Sequence, residues 1–180
     1  MSDRADGDSP FRYAERAPSA SIARARTALA PLAPLAPLAP LAGQWDGEAT
    51  AMMGPGRTLR MRQSEDITWG AGGTVLIIKG TGRGTEGPTA GTVLFEAAAL
   101  FWFDPDSGRV RMTTHRDGQS VEPSLECRPD TLIWGFAVPG GRVRYVIAFT
   151  NDSWHEAGDF LREDAPAMRT IEMRLKKVRP

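Results

Sequence analysis

The chain has 180 residues, with 22 basic and 22 acidic side chains, zero net charge and a pI near 6.7. That balance excludes the basic footprint of a nucleic-acid binder or of a protein held on an anionic membrane. A single cysteine, Cys127, excludes an internal disulfide and a cysteine-built zinc site, and the length suits one domain with a tail.

Residues 1–30 are mostly Ser, Ala, Asp and Arg, with Phe11 and Tyr13 as their only aromatics. Such a segment buries too little apolar area to offset its ordering entropy, which predicts a flexible N-terminal tail; "SIARARTALA" (21–30) has the composition of a short helix. Its acidic, polar start is unlike a signal peptide, and no apolar run approaches the ~20 residues of a membrane span, so a cytoplasmic protein with no membrane partner is expected. Four Pro-Leu-Ala triplets (31–42) then run directly into Gly43-Gln44-Trp45 and open the predicted domain, residues 31–180. The expectation is a short cap carrying Leu38 and Leu41 inward, preceded by triplets that serve as a stiff extended spacer.

From Gln44 the texture changes to short runs rich in Val, Ile, Thr and aromatics, punctuated by "MGPGR", "WGAGG", "DPDSG", "RDG", "RPD", "VPGG" and "TND". Strands are expected over 44–52, 58–69, 74–82, 91–103, 109–115, 119–127, 131–138, 142–150, 153–162 and 168–178. No long 3.6-residue period interrupts them, so crossovers are excluded and the strands form an antiparallel meander. The fold class that follows is all-β: a closed up-and-down barrel of about ten strands with a short N-terminal helical cap, closed because closure removes exposed edges. Alternation places Leu132, Trp134, Phe136 and Val138 on one face, and likewise Val143, Tyr145, Ile147 and Phe149.

"PLAPLAGQWDGEA" (34–49, less its first triplet) followed by such a meander resembles the opening of calycin-type up-and-down barrels. It is most similar to the nitrobindin-like and related heme-binding-like barrels, on Leu38, Leu41, Gly43, Trp45, Gly47 and Glu48. The resemblance implies a lipocalin-like barrel whose end is filled by Trp45, with Arg174 or Arg169 packed across its ring. It also implies a haem-ligating histidine near the last strands; this chain has only His115 and His155, and none in 163–180. No cofactor and no metal is therefore expected.

"GRGTEG" (82–87) matches a dinucleotide-loop string, but the next segment, "PTAGTVLFEA", is strand-like rather than helical, so it reads as a hairpin loop. "NDS" (151–153) reads as a two-residue turn. The informative residues are polar ones in phase with apolar neighbours. Gln63 and Glu65 share the phase of Leu59, Met61, Ile67 and Trp69, and Glu96 shares that of Leu94, Leu100 and Trp102. Buried without partners such groups cost several kcal/mol, so they point to a ligand or water, unless a bulge turns them to solvent. The candidate ligand-binding wall is Met61, Gln63, Trp102, Met112, Trp134, Phe136 and Trp154, with Glu65, Glu96 and Tyr145 as candidate catalytic groups.

Two functions fit. One is binding of a small, mostly apolar molecule in the barrel cavity. The alternative is a cofactor-independent cyclase or isomerase of natural-product biosynthesis, in which the cavity folds a polyene-like substrate and the N-terminal segment acts as a lid. Haem or nitric-oxide binding is the third. Whether the chain is an enzyme, and whether it pairs as a homodimer, stays open at this level.

Overall fold

The computed structural model describes residues 33–54 and 56–179; the expected tail of residues 1–30 lies outside them. The chain forms eleven strands: β1 (Gly43–Met52), β2 (Thr58–Gly70), β3 (Val75–Gly84), β4 (Val93–Asp104), β5 (Arg109–Arg116), β6 (Gln119–Val121), β7 (Ser124–Cys127), β8 (Thr131–Val138), β9 (Gly141–Phe149), β10 (Ser153–Arg162) and β11 (Ala165–Arg179). All pair antiparallel, in the order β6-β5-β4-β3-β2-β1-β11-β10-β9-β8-β7. The first and last strands are thus neighbours, and the two edges, β6 and β7, are consecutive in the chain. Joined by only Glu122 and Pro123, these edges cannot lie far apart, so the sheet must curl round on itself.

The expected all-β antiparallel meander is present, but the closed barrel is corrected at one place. The run 119–127 is two strands rather than one, and β6 and β7 do not pair. Pro123 supplies the reason: it has no N–H for a ladder and restricts Glu122 before it. The Arg111 guanidinium, which also meets Asp104 at 3.3 Å, forms an ion pair with Glu122 and tethers the connection. An open cleft of about 660 Å3, bounded by Ser107, Arg109, Arg111, Glu122 and Pro123, marks this seam.

One end of the curl is plugged. Ala33–Leu41 is a 3₁₀ helix, and its three residues per turn match the Pro-Leu-Ala period, so Leu35, Leu38 and Leu41 stack on one face. All three are completely buried. The spacer expected before Leu38 is therefore corrected for the triplet containing Leu35. Proline's fixed φ suits this helix, and the carbonyls at its C-terminal end find partners in side chains of the sheet. Trp45 Nε1 donates to Leu41 O at 2.7 Å, and Lys177 Nζ donates to Pro40 O at 2.6 Å and Ala42 O at 2.8 Å. Gly43, at φ 125°, makes the bend from helix to strand in a region closed to other residues.

The residue laid across Trp45 is Lys177, with Nζ 4.7 Å from the ring centroid, and not Arg174 or Arg169. Register decides this. Trp45 pairs with Lys177, whereas Arg174 pairs with Glu48, and Arg169 binds Asp159 at 2.6 Å. Trp154 meets Trp45 edge-on at 5.8 Å, and Ile67, Leu76, Phe101, Met112, Leu132 and Leu175 complete the dry core around the leucines.

Candidate functional site

Beyond this plug the inward phase of the strands becomes polar. On β2, Met61, Gln63, Glu65 and Ile67 are buried in strict alternation, with no bulge to turn them out. Gln63 Nε2 donates to Glu65 Oε1 at 2.8 Å. What makes room for these two side chains is glycine on the next strand: Gln63 is paired with Gly82 and Glu65 with Gly80. A Cβ on Gly80 would sit 2.6 Å from both Glu65 carboxyl oxygens, and one on Gly82 would sit 2.7 Å from Gln63 Oε1. "GRGTEG" is thus not simply a hairpin loop. Its first glycines end β3, where Gly80, Gly82 and Gly84 all face inward and leave a side-chain-free wall.

The group that sequence reasoning missed is Glu156. It lies on β10 two residues after Trp154, is only 7% exposed, and accepts a hydrogen bond from Trp154 Nε1 at 3.3 Å. The signal was available in "SWHEAGDF", where Trp154, Glu156 and Gly158 share a phase. Burial pushes the Glu65 carboxyl up to about 7, against which the Gln63 hydrogen bond works only partly. Burial, then the nearby charge of Glu65, pushes Glu156 up to about 8. Near neutrality the interior therefore holds carboxylic acids that can donate as well as accept hydrogen bonds.

A shelf of aromatic rings stands nearby. Trp134 and Tyr145, paired across β8 and β9, stack with centroids 4.0 Å apart at 12°, and Phe136 continues the stack 6.2 Å from Trp134. Tyr145 reaches over Gly158, where a Cβ would come within 2.7 Å of its ring. Burial and then the charge of Glu156 raise the Tyr145 phenol, and the Arg116 guanidinium opposes them. Arg116, at the end of β5, stands 4.7 Å over the Phe95 ring. Trp134 Nε1 is buried and has no hydrogen-bond partner among the described residues. Beside the shelf a second open cleft of about 440 Å3 is lined by Leu125, Trp134, Phe136 and Val143.

The structure thus brings together Gln63 and Glu65 and sets Tyr145 over Gly158 on the strand that carries Glu156, with Met61, Met112 and Trp154 buried in the same core and Trp134 and Phe136 half-buried. Two candidates are not among them. Glu96 is exposed, and Trp102 lies outside the core cluster, because β4 turns Phe95, Ala99 and Phe101 inward instead. A strand apolar on both faces carries no phase signal of its own; pairing with β3 and β5 sets it. Both histidines face out: His155 binds Glu172 at 3.1 Å, and exposed His115 meets Thr113 at 3.5 Å. Among the described residues no three His, Cys, Asp or Glu gather as metal ligands, and no helix is long and apolar enough to cross a membrane.

No family model matches the chain, and no curated protein does. Solved structures do. The fold is similar to that of Rv2717c from M. tuberculosis, with a TM-score of 0.59 at 12% identity over 82% of this chain and 98% of that one. It is also similar to the S-type phycobiliprotein lyase CPES from Guillardia theta, with a TM-score of 0.52 at 13% identity over 77% of this chain and 88% of that one. Both have a β-barrel-type fold with a curled, all-antiparallel sheet.

Proposed function

We propose that this chain binds a small, mostly apolar molecule inside the curled sheet, admitted at the end opposite the leucine plug. The observation that carries this reading is the placement of Gln63, Glu65 and Glu156 in an otherwise apolar interior beside stacked rings. Polar groups that deep are costly unless something engages them, and small-molecule sites combine greasy walls with a few such anchors. Kinship with the nitrobindin-like and calycin barrels belongs to the same proposal. In that case the chain is a barrel without the family's histidine ligand, since His115 and His155 both face solvent. The test is titration of the full chain with Nile red, a neutral apolar dye. Saturable, one-to-one binding that weakens in Trp134→Ala is expected; an absence of saturable binding sinks the proposal.

The alternative, cofactor-independent cyclisation of a polyene-like substrate, has one observation in its favour. A protonated carboxylic acid in an apolar enclosure is a proton donor, and Glu65 and Glu156 are raised into that range. It loses Glu96 from its proposed machinery and keeps Glu65 and Tyr145. Turnover that disappears in Glu156→Gln while Nile red still binds would favour it over simple binding.

A further inference from the structure

We infer a second binding surface, on the outer wall of the sheet: the trough that runs from β9 over β8 and β7 into the seam takes an extended acidic peptide. This surface is separate from the interior and stands independently of the reading above.

The trough follows from strand phase. Leu132 on β8 and Ile147 and Phe149 on β9 are buried inward, so the opposite phase faces out: Ile133, Gly135 and Ala137 on β8, Arg142 and Arg144 on β9. Gly135 has no side chain, which keeps the floor low; a Cβ there would sit 2.4 Å from Val143 O. Ser124 and Glu126 on β7, paired with Gly135 and Ile133, form the far bank. All these residues line the cleft of about 440 Å3, and Ser124 and Leu125 also line the seam cleft of about 660 Å3, so the two are continuous. From β9 to β5 the trough crosses two ladder steps and the seam, about 15–20 Å, which five or six extended residues span.

Charge decides what fills it. The acids along the trough are already engaged: Glu122 with Arg111, Asp104 with Arg111 at 3.3 Å, and Glu126 with Arg128 at 2.7 Å. Asp159, which register sets beside Arg144, holds Arg169 at 2.6 Å. Arg109, Arg142 and Arg144 are exposed and have no acidic partner among the described residues. A chain of zero net charge thus gathers three unanswered guanidiniums around one trough, each able to hold a carboxylate. Arg142 and Arg144 are two positions apart on one strand face, about 7 Å, the spacing of alternate side chains in an extended peptide.

Two features favour a peptide over a phosphate backbone. β7 is laddered only to β8, and β6 pairs only with Thr114–Arg116 of β5, so the main chain on both sides of the seam has no strand neighbour there. Those edges present amide donors and carbonyl acceptors together; a peptide answers both, whereas a phosphodiester has no donor to offer the carbonyls. The floor of Ile133, Gly135 and Ala137 is apolar, and takes the apolar side chains that alternate with the acids of the peptide.

The experiment is calorimetry of the full chain with capped peptides of alternating Val-Glu, Val-Gln and Val-Lys, and with an oligothymidylate of matching length. The Val-Glu peptide is expected to bind one-to-one, about tenfold or more tighter than Val-Gln at low salt, and to weaken as salt is added. Arg142→Gln with Arg144→Gln should remove most of that preference, and the Lys pair should keep part of it. Ala137→Phe, which fills the floor without changing charge, should weaken binding as well. Arg57→Gln with Arg83→Gln, exposed arginines on the other wing, should leave it unchanged. Equal binding of Val-Glu and Val-Gln, or an equal loss from the Arg57 and Arg83 changes, overturns the proposal, and tighter binding of the oligothymidylate overturns it in favour of a nucleic acid. Nile red binding by the Arg142→Gln, Arg144→Gln chain should match that of the parent, so this surface and the interior site fail separately.

Discussion

The two ends of the curled sheet are built from the same alternating strands and differ in what covers them. At one end the 3₁₀ helix lays Leu35, Leu38 and Leu41 over Trp45, Phe101 and Leu132, an apolar core onto which Lys177 brings its ammonium across the Trp45 ring. Away from the helix no comparable element is described; next to Trp45 and Trp154 the buried inward positions carry Gln63, Glu65 and Glu156, with Tyr145, Trp134 and Phe136 half-buried and Arg116 exposed. The difference teaches that a strand's inward phase specifies a direction and not an environment. Leucine every third residue made one half of the interior a dry core; glycine every second residue on β3 made room in the other half for the Glu65 and Gln63 side chains.

The largest test of this contrast is pH. Glu65 and Glu156 are raised in the folded chain to about 7 and 8, above the ordinary 4.5 of an unfolded glutamate. Their protonated forms favour folding fully below that ordinary value, and the advantage is lost as pH rises through the folded values. Each pH unit of displacement is worth about 1.4 kcal/mol, so urea unfolding should show several kcal/mol less stability at about pH 9 than at about pH 5. Glu156→Gln should flatten much of that slope; an unchanged slope would mean the carboxyl is solvated.

Next comes the plug. Leu38→Ala removes a fully buried side chain from a packed stack and should lower unfolding free energy by about 3 kcal/mol. Trp134→Ala, at the open end, should cost distinctly less stability and more Nile red affinity. Equal stability losses would erase the distinction between the ends.

Gly80→Ala probes the polar half more finely. The new methyl meets the Glu65 carboxyl at 2.6 Å, so about 1–2 kcal/mol should be lost, and the loss should disappear in a Glu65→Ala background. The smallest expected effect separates the cation on Trp45 from those outside. Lys177→Met gives up two carbonyl contacts and a ring face, for about 1 kcal/mol by thermal melting. Arg174→Met, on the exposed face, should change stability by no more than about 0.5 kcal/mol.

Much of this was legible in the sequence because strand alternation is a strong signal where one face is uniformly apolar. β2, β8 and β9 could be read that way, and with them the inward placement of Gln63, Glu65 and Tyr145. β4 could not, because Leu94, Phe95, Leu100, Phe101 and Trp102 occupy both phases, and only its neighbours choose between them. The Pro-Leu-Ala run was ambiguous for a related reason. Polyproline II and 3₁₀ helices both turn every three residues, so the period alone could not separate a spacer from a plug. Lys177 was hidden by register, since nothing local to "LKKVR" says that it rather than Arg174 lies opposite Trp45. Glu156 was hidden because its phase in 153–162 carries only Trp154 and Phe160 as large apolar residues, too few to mark an inward face.

The break at Pro123 has a consequence for how the molecule assembles. It divides the sheet into two wings, β1–β6 and β7–β11, within which every strand zips onto the next through a short hairpin. Only the β1–β11 ladder joins residues from opposite ends of the domain, as Lys177 does in reaching Pro40 across 137 positions. Each wing can therefore gather quickly by itself, and the slow event is their meeting along that one distant ladder, which also sets the leucine stack under Lys177.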